Sequence, residues 1–257
     1  MVLLSFLVVT GCSRRDILDD YPVSGVEVRL DWSGVTEKLP EGVRIIFYPK
    51  DEKGRKIDTY LSVTGGEVKV PSGHYAVVIY NYDTETVLIR GEESYETIQA
   101  YTNFCKLGIA GTEKMVWGPD PLYVVNIDDL DIQNSEETLI LKLKPKLVIR
   151  TYSFSIKVQG LSNVSNVIGS IGGMADHYFL GKAYAMCDDY PINIDLNVKA
   201  GKIEGVFTTF GLPEAIITRL EIKLPVMMNL MIIKVDNSVQ EVKINITEAV
   251  QEPTGGG

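Results

Sequence analysis

The residue with the clearest chemical potential in this sequence is Cys12, whose thiol follows an uncharged, apolar segment. Residues 1–11 (MVLLSFLVVTG) contain no charged side chain, and the chain turns polar directly after Cys12. The apolar run suits the hydrophobic region of a secretory signal peptide and is too short to cross a bilayer as a helix. Small and β-branched residues before the cysteine let a peptidase fit the backbone beside it. The pattern predicts that residues 1–11 are removed and that the Cys12 thiol carries lipid.

The segment around Cys12 resembles the lipobox of bacterial lipoproteins, in which the cysteine takes a diacylglycerol and becomes the mature N-terminus. The resemblance implies that acylated Cys12 inserts into membrane lipid, where two or more acyl chains anchor stably and one chain is marginal. Residues 12–24 would form the lipidated tether. No positive charge precedes the apolar run, so we expect the true start of the protein to lie upstream. The alternative is a hydrophobic first strand with a chance cysteine.

The sequence offers few groups for catalysis. Its two histidines, His74 and His177, are each predicted to lie in a turn or on the surface. No HExxH, G-x-S-x-G, P-loop or CxxC motif is present; these are the spacings that bring metal ligands, nucleophiles or phosphate-binding amides together. We therefore predict that the protein is not an enzyme, uses no cofactor and holds no metal ion.

Two acidic clusters are the remaining candidates for cation binding. Asp128, Asp129 and Asp131 carry the oxygen ligands that Ca²⁺ prefers, but they lack the spaced glycine of a calcium-binding loop. A solvated linker is the favoured interpretation of this stretch. Asp188 and Asp189 are interpreted as the tip of a loop.

Charge and cysteine content exclude other classes of protein. The formal net charge is −9, and lysines and arginines are scattered, so no basic footprint for nucleic acid exists. Beyond Cys12, only Cys105 and Cys187 remain, which is too few for a disulfide scaffold. We expect two unpaired, buried thiols, although a bridge between the halves is the alternative.

Aromatic residues suggest one possible ligand surface. Trp32 falls on the apolar face of an alternating strand, so we expect it in the core. Trp117 stands beside Gly118-Pro119 and is the aromatic residue that we predict to be exposed, where its ring could stack on a sugar.

Strand patterns dominate the chain and determine the fold class. Val26, Val28 and Leu30 alternate with charged residues, and residues 192–198 (INIDLNV) alternate in the same way, as expected for half-buried strands. A helical period is not sustained over ten residues anywhere. Short strands at intervals of about 8–12 residues predict β-sandwiches.

The acidic stretch 128–137 is the best candidate for a domain boundary. We predict an N-terminal β-sandwich over residues 25–132, a C-terminal β-sandwich over 138–250 and a flexible tail over 251–257.

The last predicted strand has a special position because it lies near the end of the chain. Val242, Ile244 and Ile246 alternate with polar residues, so this strand could fill an apolar groove in another subunit. It could equally be the last strand of its own sandwich, and the sequence leaves both interpretations open.

Several stretches together resemble the fimbrillin-associated anchor lipoproteins of gut and oral anaerobic Gram-negative bacteria, and related lipoproteins. The matching stretches are Cys12-Ser13, Gly25 to Val35 (GVEVRLDWSGV), Gly42 to Pro49 (GVRIIFYP), Val70 to Glu85 (VPSGHYAVVIYNYDTE), Ile168 to Ala175 (IGSIGGMA) and Phe207 to Leu212 (FTTFGL).

The resemblance implies an all-β protein of two tandem transthyretin-like β-sandwich domains after a lipoprotein signal peptide. It also implies lipid anchoring at the outer membrane, exposure on the cell surface, and fimbrial subunits that join by strand exchange. Anchor members keep their own first strand and end the polymer at the membrane. We therefore expect a fimbrium anchor or accessory subunit with a structural and adhesive role. A surface glycan-binding lipoprotein is the alternative.

Overall fold

The computed structural model describes residues 23–51, 54–105, 114–199, 201–213 and 225–250. The described chain is almost entirely β-strand, with one 3₁₀ turn at Leu161–Asn163 and one helical turn, α1 (Thr247–Val250). Within these ranges no helix has the length and apolar character needed to cross a membrane. Cys12, the predicted signal peptide and the predicted tail lie outside the described residues.

In chain order the strands are β1 (Val23–Leu30), β2 (Gly42–Pro49), β3 (Ile57–Ser62), β4 (Gly65–Pro71), β5 (Gly73–Asn81), β6 (Val87–Arg90), β7 (Gln99–Thr102), β8 (Phe104–Cys105), β9 (Met115–Val116), β10 (Tyr123–Ile132), β11 (Leu139–Leu143), β12 (Lys146–Leu147), β13 (Arg150–Lys157), β14 (Val164–Gly172), β15 (His177–Phe179), β16 (Tyr184–Met186), β17 (Ile192–Lys199), β18 (Lys202–Thr209), β19 (Met227–Lys234) and β20 (Val239–Asn245).

The first sheet has the strand order β11-β1-β4-β3-β2-β5-β10-β12. Its two edge strands are consecutive in the chain, since β11 ends at Leu143 and β12 begins at Lys146. Leu143 and Lys146 are only three residues apart, at most about 3.6 Å per residue. The sheet must therefore curl until its two edges meet at this corner.

The curled sheet encloses its own core. Val26 and Val28 of β1, Ile45 and Phe47 of β2, and Val77 of β5 are buried together in it. Each of these side chains alternates with one on the opposite face, which is the two-residue period of a strand. The concave face of the first sheet therefore encloses one continuous apolar core.

The convex face of β2 and β5 is covered by a small sheet of order β16-β15-β7-β6. Ile46, Val78 and Tyr80 from the first sheet pack there against Ala100 and Leu180. Both faces of β2 are thus buried, which explains why its sequence reads as a continuous apolar run. The small sheet takes strands from both halves of the chain.

The second large sheet has the order β13-β18-β17-β14-β19-β20, with the short hairpin of β8 and β9 attached to β17. Ile171, Ile192, Phe207 and Leu230 are buried in its core. The chain is therefore all-β and built around two curled sheets, and the predicted fold class is confirmed.

The predicted domain limits do not coincide with the division between the sheets. Strand β11 lies beyond the predicted boundary, yet it pairs in parallel with β1 from Val26↔Leu139 to Leu30↔Leu143. Asp128 and its neighbours belong to β10 rather than to a linker. Ser24, assigned to the tether, is buried within β1. The change from the first to the second large sheet falls between Leu147 and Arg150.

Trp32 lies two residues beyond the end of β1 and is half-buried against the first core. Its indole Nε1 donates a hydrogen bond of 2.6 Å to Val63 O, and its ring meets Tyr123 edge-on at 5.2 Å. Trp32 therefore packs against the first core, as expected, but it is half-buried rather than fully enclosed.

We predict that proteolytic cleavage within residues 133–138 will not separate the two halves of the chain. Five register pairs between β1 and β11 cross the cut, and the small sheet joins strands from both halves. The nicked fragments should elute together in native size-exclusion chromatography and separate only in denaturant. Two independent peaks under native conditions would contradict this topology.

Candidate functional site

The first described strand, β1, lies inside its sheet rather than at an edge. It pairs with β4 on one side, from Val23↔Pro71 to Arg29↔Gly65, and with β11 on the other. Ser24 Oγ donates a hydrogen bond of 2.7 Å to Gln133 O. The chain thus fills this position of the first sheet with its own N-terminal strand.

The last strand, β20, lies at an edge of the second sheet. It pairs with β19 through seven residues, from Met227↔Asn245 to Ile233↔Val239. No other described strand pairs with it. One side of its backbone therefore remains available for hydrogen bonds with a further strand.

The predicted alternation of β20 is present in the structure. Val242, Ile244 and Ile246 pack, half-buried, against the second core, whereas Lys243 and Asn245 are exposed. The strand therefore occupies its own sandwich with one apolar and one polar face, and whether it also leaves that sandwich stays a prediction.

Residues 246–250, which follow β20, are attached to the fold. Val250 of α1 is only 4% exposed and belongs to the second core. Thr247 Oγ1 accepts a hydrogen bond of 2.9 Å from Val226 N. Releasing β20 together with α1 would expose four apolar side chains, at a cost on the order of 5 kcal/mol.

One buried polar atom of β19 lacks a hydrogen-bond partner. Asn229 Oδ1 is buried and has no hydrogen-bond partner in the described structure. It lines a cavity of about 120 Å³ beside Ser170, Met231 and Lys243. An unpaired buried acceptor costs about 1–3 kcal/mol. Asn229 is opposite Ser170 of β14 as well as Lys243 of β20, and the backbone pairing of β19 with β20 is unbroken.

Trp117 is exposed at 41%. Its backbone is fixed, because Trp117 N donates to Asn103 O at 3.0 Å and Trp117 O accepts from Thr102 Oγ1 at 2.7 Å. A nearby exposed pair, Phe104 and Tyr190, meets edge-on at 4.9 Å. The predicted exposure is present, and sugar stacking stays a prediction.

His177 lies in the interior, contrary to its predicted surface position. It is only 5% exposed within β15, and its Nδ1 lies 2.6 Å from Asp176 Oδ1. Asp176 is buried as well, and its Oδ2 accepts hydrogen bonds from the backbone N–H groups of Asp188 and Tyr190. We call this arrangement the Asp–His clasp. It holds the loop at residues 187–190 against the small sheet.

The Asp–His clasp resembles a metal site in composition but not in geometry. Ligand atoms of Asp176, His177 and Asp188 lie within 4.8 Å of one another. The Asp176 Oδ1 atom, however, sits at hydrogen-bond distance from His177 Nδ1, which leaves no room for an ion along that direction. The remaining oxygen of Asp176 is taken by backbone donors. The arrangement therefore serves the loop rather than a cation.

The other predicted polar residues lie on the surface of the first sheet. His74 is exposed at the start of β5 and lies 3.5 Å from Asp129 Oδ1. Lys50 pairs with the same carboxylate at 3.1 Å and, as the larger influence, lowers the pKa of Asp129. Asp131 lies on the same strand, 3.8 Å from His74. These residues form an exposed charge network on β5 and β10, not a calcium loop.

Both cysteines of the described chain are unpaired, as predicted. Cys105 is buried, and burial raises the pKa of its thiol. Cys187 is half-buried beside Asp189, and burial raises its pKa to about 11. Neither thiol has the thiolate character that a nucleophile needs.

Comparison with known proteins identifies a family and a relative to which this chain is similar. The model of a protein family described as "Domain of unknown function (DUF5119)" matches residues 11–195. A Bacteroides ovatus protein named "Putative fimbrium anchoring subunit Fim4B" is 52% identical over 261 residues, covering 97% of this chain and 78% of that protein.

Solved structures agree with this result. The crystal structure of an adhesin from Bacteroides ovatus, titled "putative adhesin", is 51% identical and covers 96% of this chain and 93% of its own, with a TM-score of 0.84. The fimbrial anchor protein Mfa2 from Porphyromonas gingivalis is 14% identical and covers 90% of this chain and 85% of its own, with a TM-score of 0.54. The similarity to Mfa2 is a similarity of fold alone.

We predict that Asp176→Ala will lower the free energy of unfolding by about 3 kcal/mol, because it removes one partner of a buried pair and frees three donors. Urea unfolding at neutral pH measures the effect. Asp188→Ala is the matched control, since its side chain is 53% exposed, and it should change stability by less than about 1 kcal/mol. Equal effects of the two substitutions would contradict the role given to the clasp.

Proposed function

This chain belongs to the family described as DUF5119, and we propose that it is a fimbrium anchoring subunit of the cell surface, with a structural and adhesive role. The observation that carries the proposal is the 52% identity, over 97% of the chain, with a relative named as a fimbrium anchoring subunit. The resemblance identified in the sequence is the same one.

The topology of the first sheet supports an anchoring role. A subunit that receives a strand from its neighbour needs a vacant position in a sheet. Here β1 is paired on both sides by strands of its own chain. The N-terminal sandwich therefore has no need of a donated strand, and this fits a subunit at the end of a polymer.

The second part of the proposal is that acylated Cys12 holds the protein at the outer membrane. The supporting observation is the apolar run before Cys12 and the polar segment after it. Eleven residues separate the lipid from β1 when Cys12 is counted, and they reach about 36–40 Å when extended. The first sandwich would then stand clear of the lipid headgroups.

The third part of the proposal is that β20 joins the anchor to the next fimbrial subunit by strand exchange. Its free backbone edge and the apolar face formed by Val242, Ile244 and Ile246 support this. A groove in the neighbouring subunit would have to bury these side chains better than the strand's own sandwich does.

The proposed role requires no catalytic group. The interior histidine, His177, is engaged with Asp176, and the thiols of Cys105 and Cys187 have raised pKa values. Strand pairing and lipid insertion depend on backbone hydrogen bonds and apolar burial.

The exposed ring of Trp117 supports a second candidate function, binding of glycans at the cell surface. An indole face exposed at 41% on a fixed backbone can pack against the C–H face of a sugar ring. A Trp117→Ala variant that loses binding to a host glycan surface while it still retains fimbriae would favour this candidate.

We predict that Cys12→Ala will abolish incorporation of labelled fatty acid and will leave the precursor unprocessed, because the thiol is the acylated atom. Membrane fractionation should then show the protein released from the outer membrane. Cys105→Ala is the matched control and should be lipidated normally. Labelling that persists in Cys12→Ala would contradict the proposed anchor.

Locking β20 to β19 tests strand exchange without deleting core residues. Met231 and Glu241 are directly opposite, so the pair Met231→Cys and Glu241→Cys should form a disulfide with acceptable geometry. We predict that oxidised cells will shed their fimbriae into the medium and that reduction before assembly will restore retention.

The control lock joins β13 to β18 through Ser155→Cys and Glu204→Cys, which are opposite in the other edge ladder. It adds the same covalent constraint but leaves β20 free, so fimbriae should stay on the cell. Normal retention with the β19–β20 lock closed would show that β20 does not leave its sandwich.

A further inference from the structure

A cavity lies where the convex face of the first sheet meets two loops of the small sheet. Its volume is about 590 Å³, within the range of about 300–1,000 Å³ that small-molecule sites occupy. Nothing in the anchoring role uses it. The lining residues that matter here are Tyr48, Lys56, Tyr95, Asn126, Asp128 and Lys182. We call this cavity the interface cleft.

The walls of the interface cleft are fixed to one another. Tyr95 OH donates a hydrogen bond of 2.8 Å to Asp128 Oδ1, and Asn126 Nδ2 donates one of 3.2 Å to Gly181 O. Tyr48 OH donates to Glu92 O at 3.1 Å. A ligand would find these groups already ordered, so little conformational entropy would be lost on binding.

A β-bulge in β10 determines the position of the Asp128 carboxylate in the cleft. The register of β10 against β5 shifts between Ile127 and Leu130, so Asp128 and Asp129 both stay on the convex side. Asp128 turns to the cleft and Tyr95, and Asp129 turns to Lys50. Bulges commonly re-aim a side chain beside a binding site.

The charges of the cleft exclude a strongly charged ligand. Three lysines (50, 56 and 182) and three carboxylates (93, 96 and 128) line it, so the formal charges cancel. Each lysine already has a partner: Lys182 lies 2.8 Å from Glu96, Lys50 pairs with Asp129, and Lys56 donates to Glu92 O at 2.8 Å. A carboxylate thus lies near each ammonium, Asp58 at 3.9 Å in the case of Lys56, and each ammonium keeps further N–H donors that a neutral ligand can use.

The chemistry of the cleft instead suits a ligand with many hydroxyl groups. Asp128 and Asn126 offer acceptors, and the lysines and the Asn126 amide offer donors. The rings of Tyr48 and Tyr95 are almost fully buried beneath these groups, with Lys56 Nζ and Lys182 Nζ at 5.4 and 5.3 Å from the ring centroids. A pyranose ring presents hydroxyls that both donate and accept, and its C–H faces can pack on the alkyl stems of the lysines.

We propose that the interface cleft is a binding site for neutral oligosaccharides. The site is separate from Trp117 and does not depend on the anchoring role, since it involves neither β20 nor Cys12.

The test uses the unacylated chain carrying Cys12→Ala, applied to an array of neutral, sialylated and sulfated oligosaccharides. We expect binding to neutral glycans, confirmed by calorimetric titration of the strongest one. Asp128→Asn keeps the acceptor for Tyr95 and should weaken binding about tenfold. Lys182→Met keeps the alkyl stem and should weaken it about threefold.

Asp195→Asn is the control, because Asp195 is exposed on the second sheet, away from the cleft. It should leave the affinity unchanged. Thermal melting must show that all variants are folded. If Asp128→Asn does not fold, the Lys182→Met variant, at a surface residue, tests the cleft instead. Three outcomes would overturn the proposal: no neutral glycan bound, a preference for sulfated or sialylated glycans, or loss of binding in Trp117→Ala with the cleft variants unaffected.

Discussion

The backbone hydrogen bonds at the edges of the two large sheets are the constraint on which the rest of the structure depends. An open edge presents unpaired N–H and C=O groups that another strand can use. In the first sheet the chain carries β11 and β12 to the two edges and joins them through only Lys144 and Pro145, so the edges meet at one corner. In the second sheet the edge strands are β13 and β20. The described chain thus places its first strand, β1, inside a sheet and its last strand, β20, at an edge.

The two ends of the proposed anchor would therefore have different roles. The N-terminal strand that follows the tether is held between two neighbours and would transmit force from the lipid into the centre of a sheet. The described strand nearest the C-terminus, β20, has one neighbour. Leaving the sandwich would also withdraw Val250 from the core. The free energy gained in an acceptor groove must therefore exceed that loss, which protects the free anchor from unspecific pairing.

The sequence predicted elements whose signal is local and failed where the signal is non-local. Ile192, Ile194 and Leu196 alternate as a strand and form one. Strand β14 gives no strand signal in the sequence, because Gly169 and Ser170 are residues typical of loops. A Cβ at Gly169 would lie only 3.0–3.1 Å from methyl groups of Leu196 and Ile194, so the strand is glycine-rich because its neighbours' side chains cover it. The acidic stretch 128–137 was interpreted as a domain boundary, although residues 128–132 belong to β10, in which a bulge sets Asp128 and Asp129 on the convex side.

The candidate site shows the same division. The exposure of Trp117 and the alternation of β20 could be predicted, because both depend on neighbouring residues. The burial of His177 could not, because its environment is created by Asp176 and by a loop whose backbone amides arrive from residues 188 and 190. The interface cleft depends on loops that are distant in sequence, at residues 93–96 and 182. No local pattern brings these together.

Hydrogen–deuterium exchange of the protein, alone and in complex with the first fimbrial subunit, tests the central claim most directly. If β20 is the connecting strand, binding should change the exchange of residues 239–250 and of β19, which loses its partner, while β1 and β11 stay equally protected in both states. Changed protection at β1 or β11 with none at β20 would contradict the account, because the subunit would then be joined through the sandwich that the structure shows to be filled.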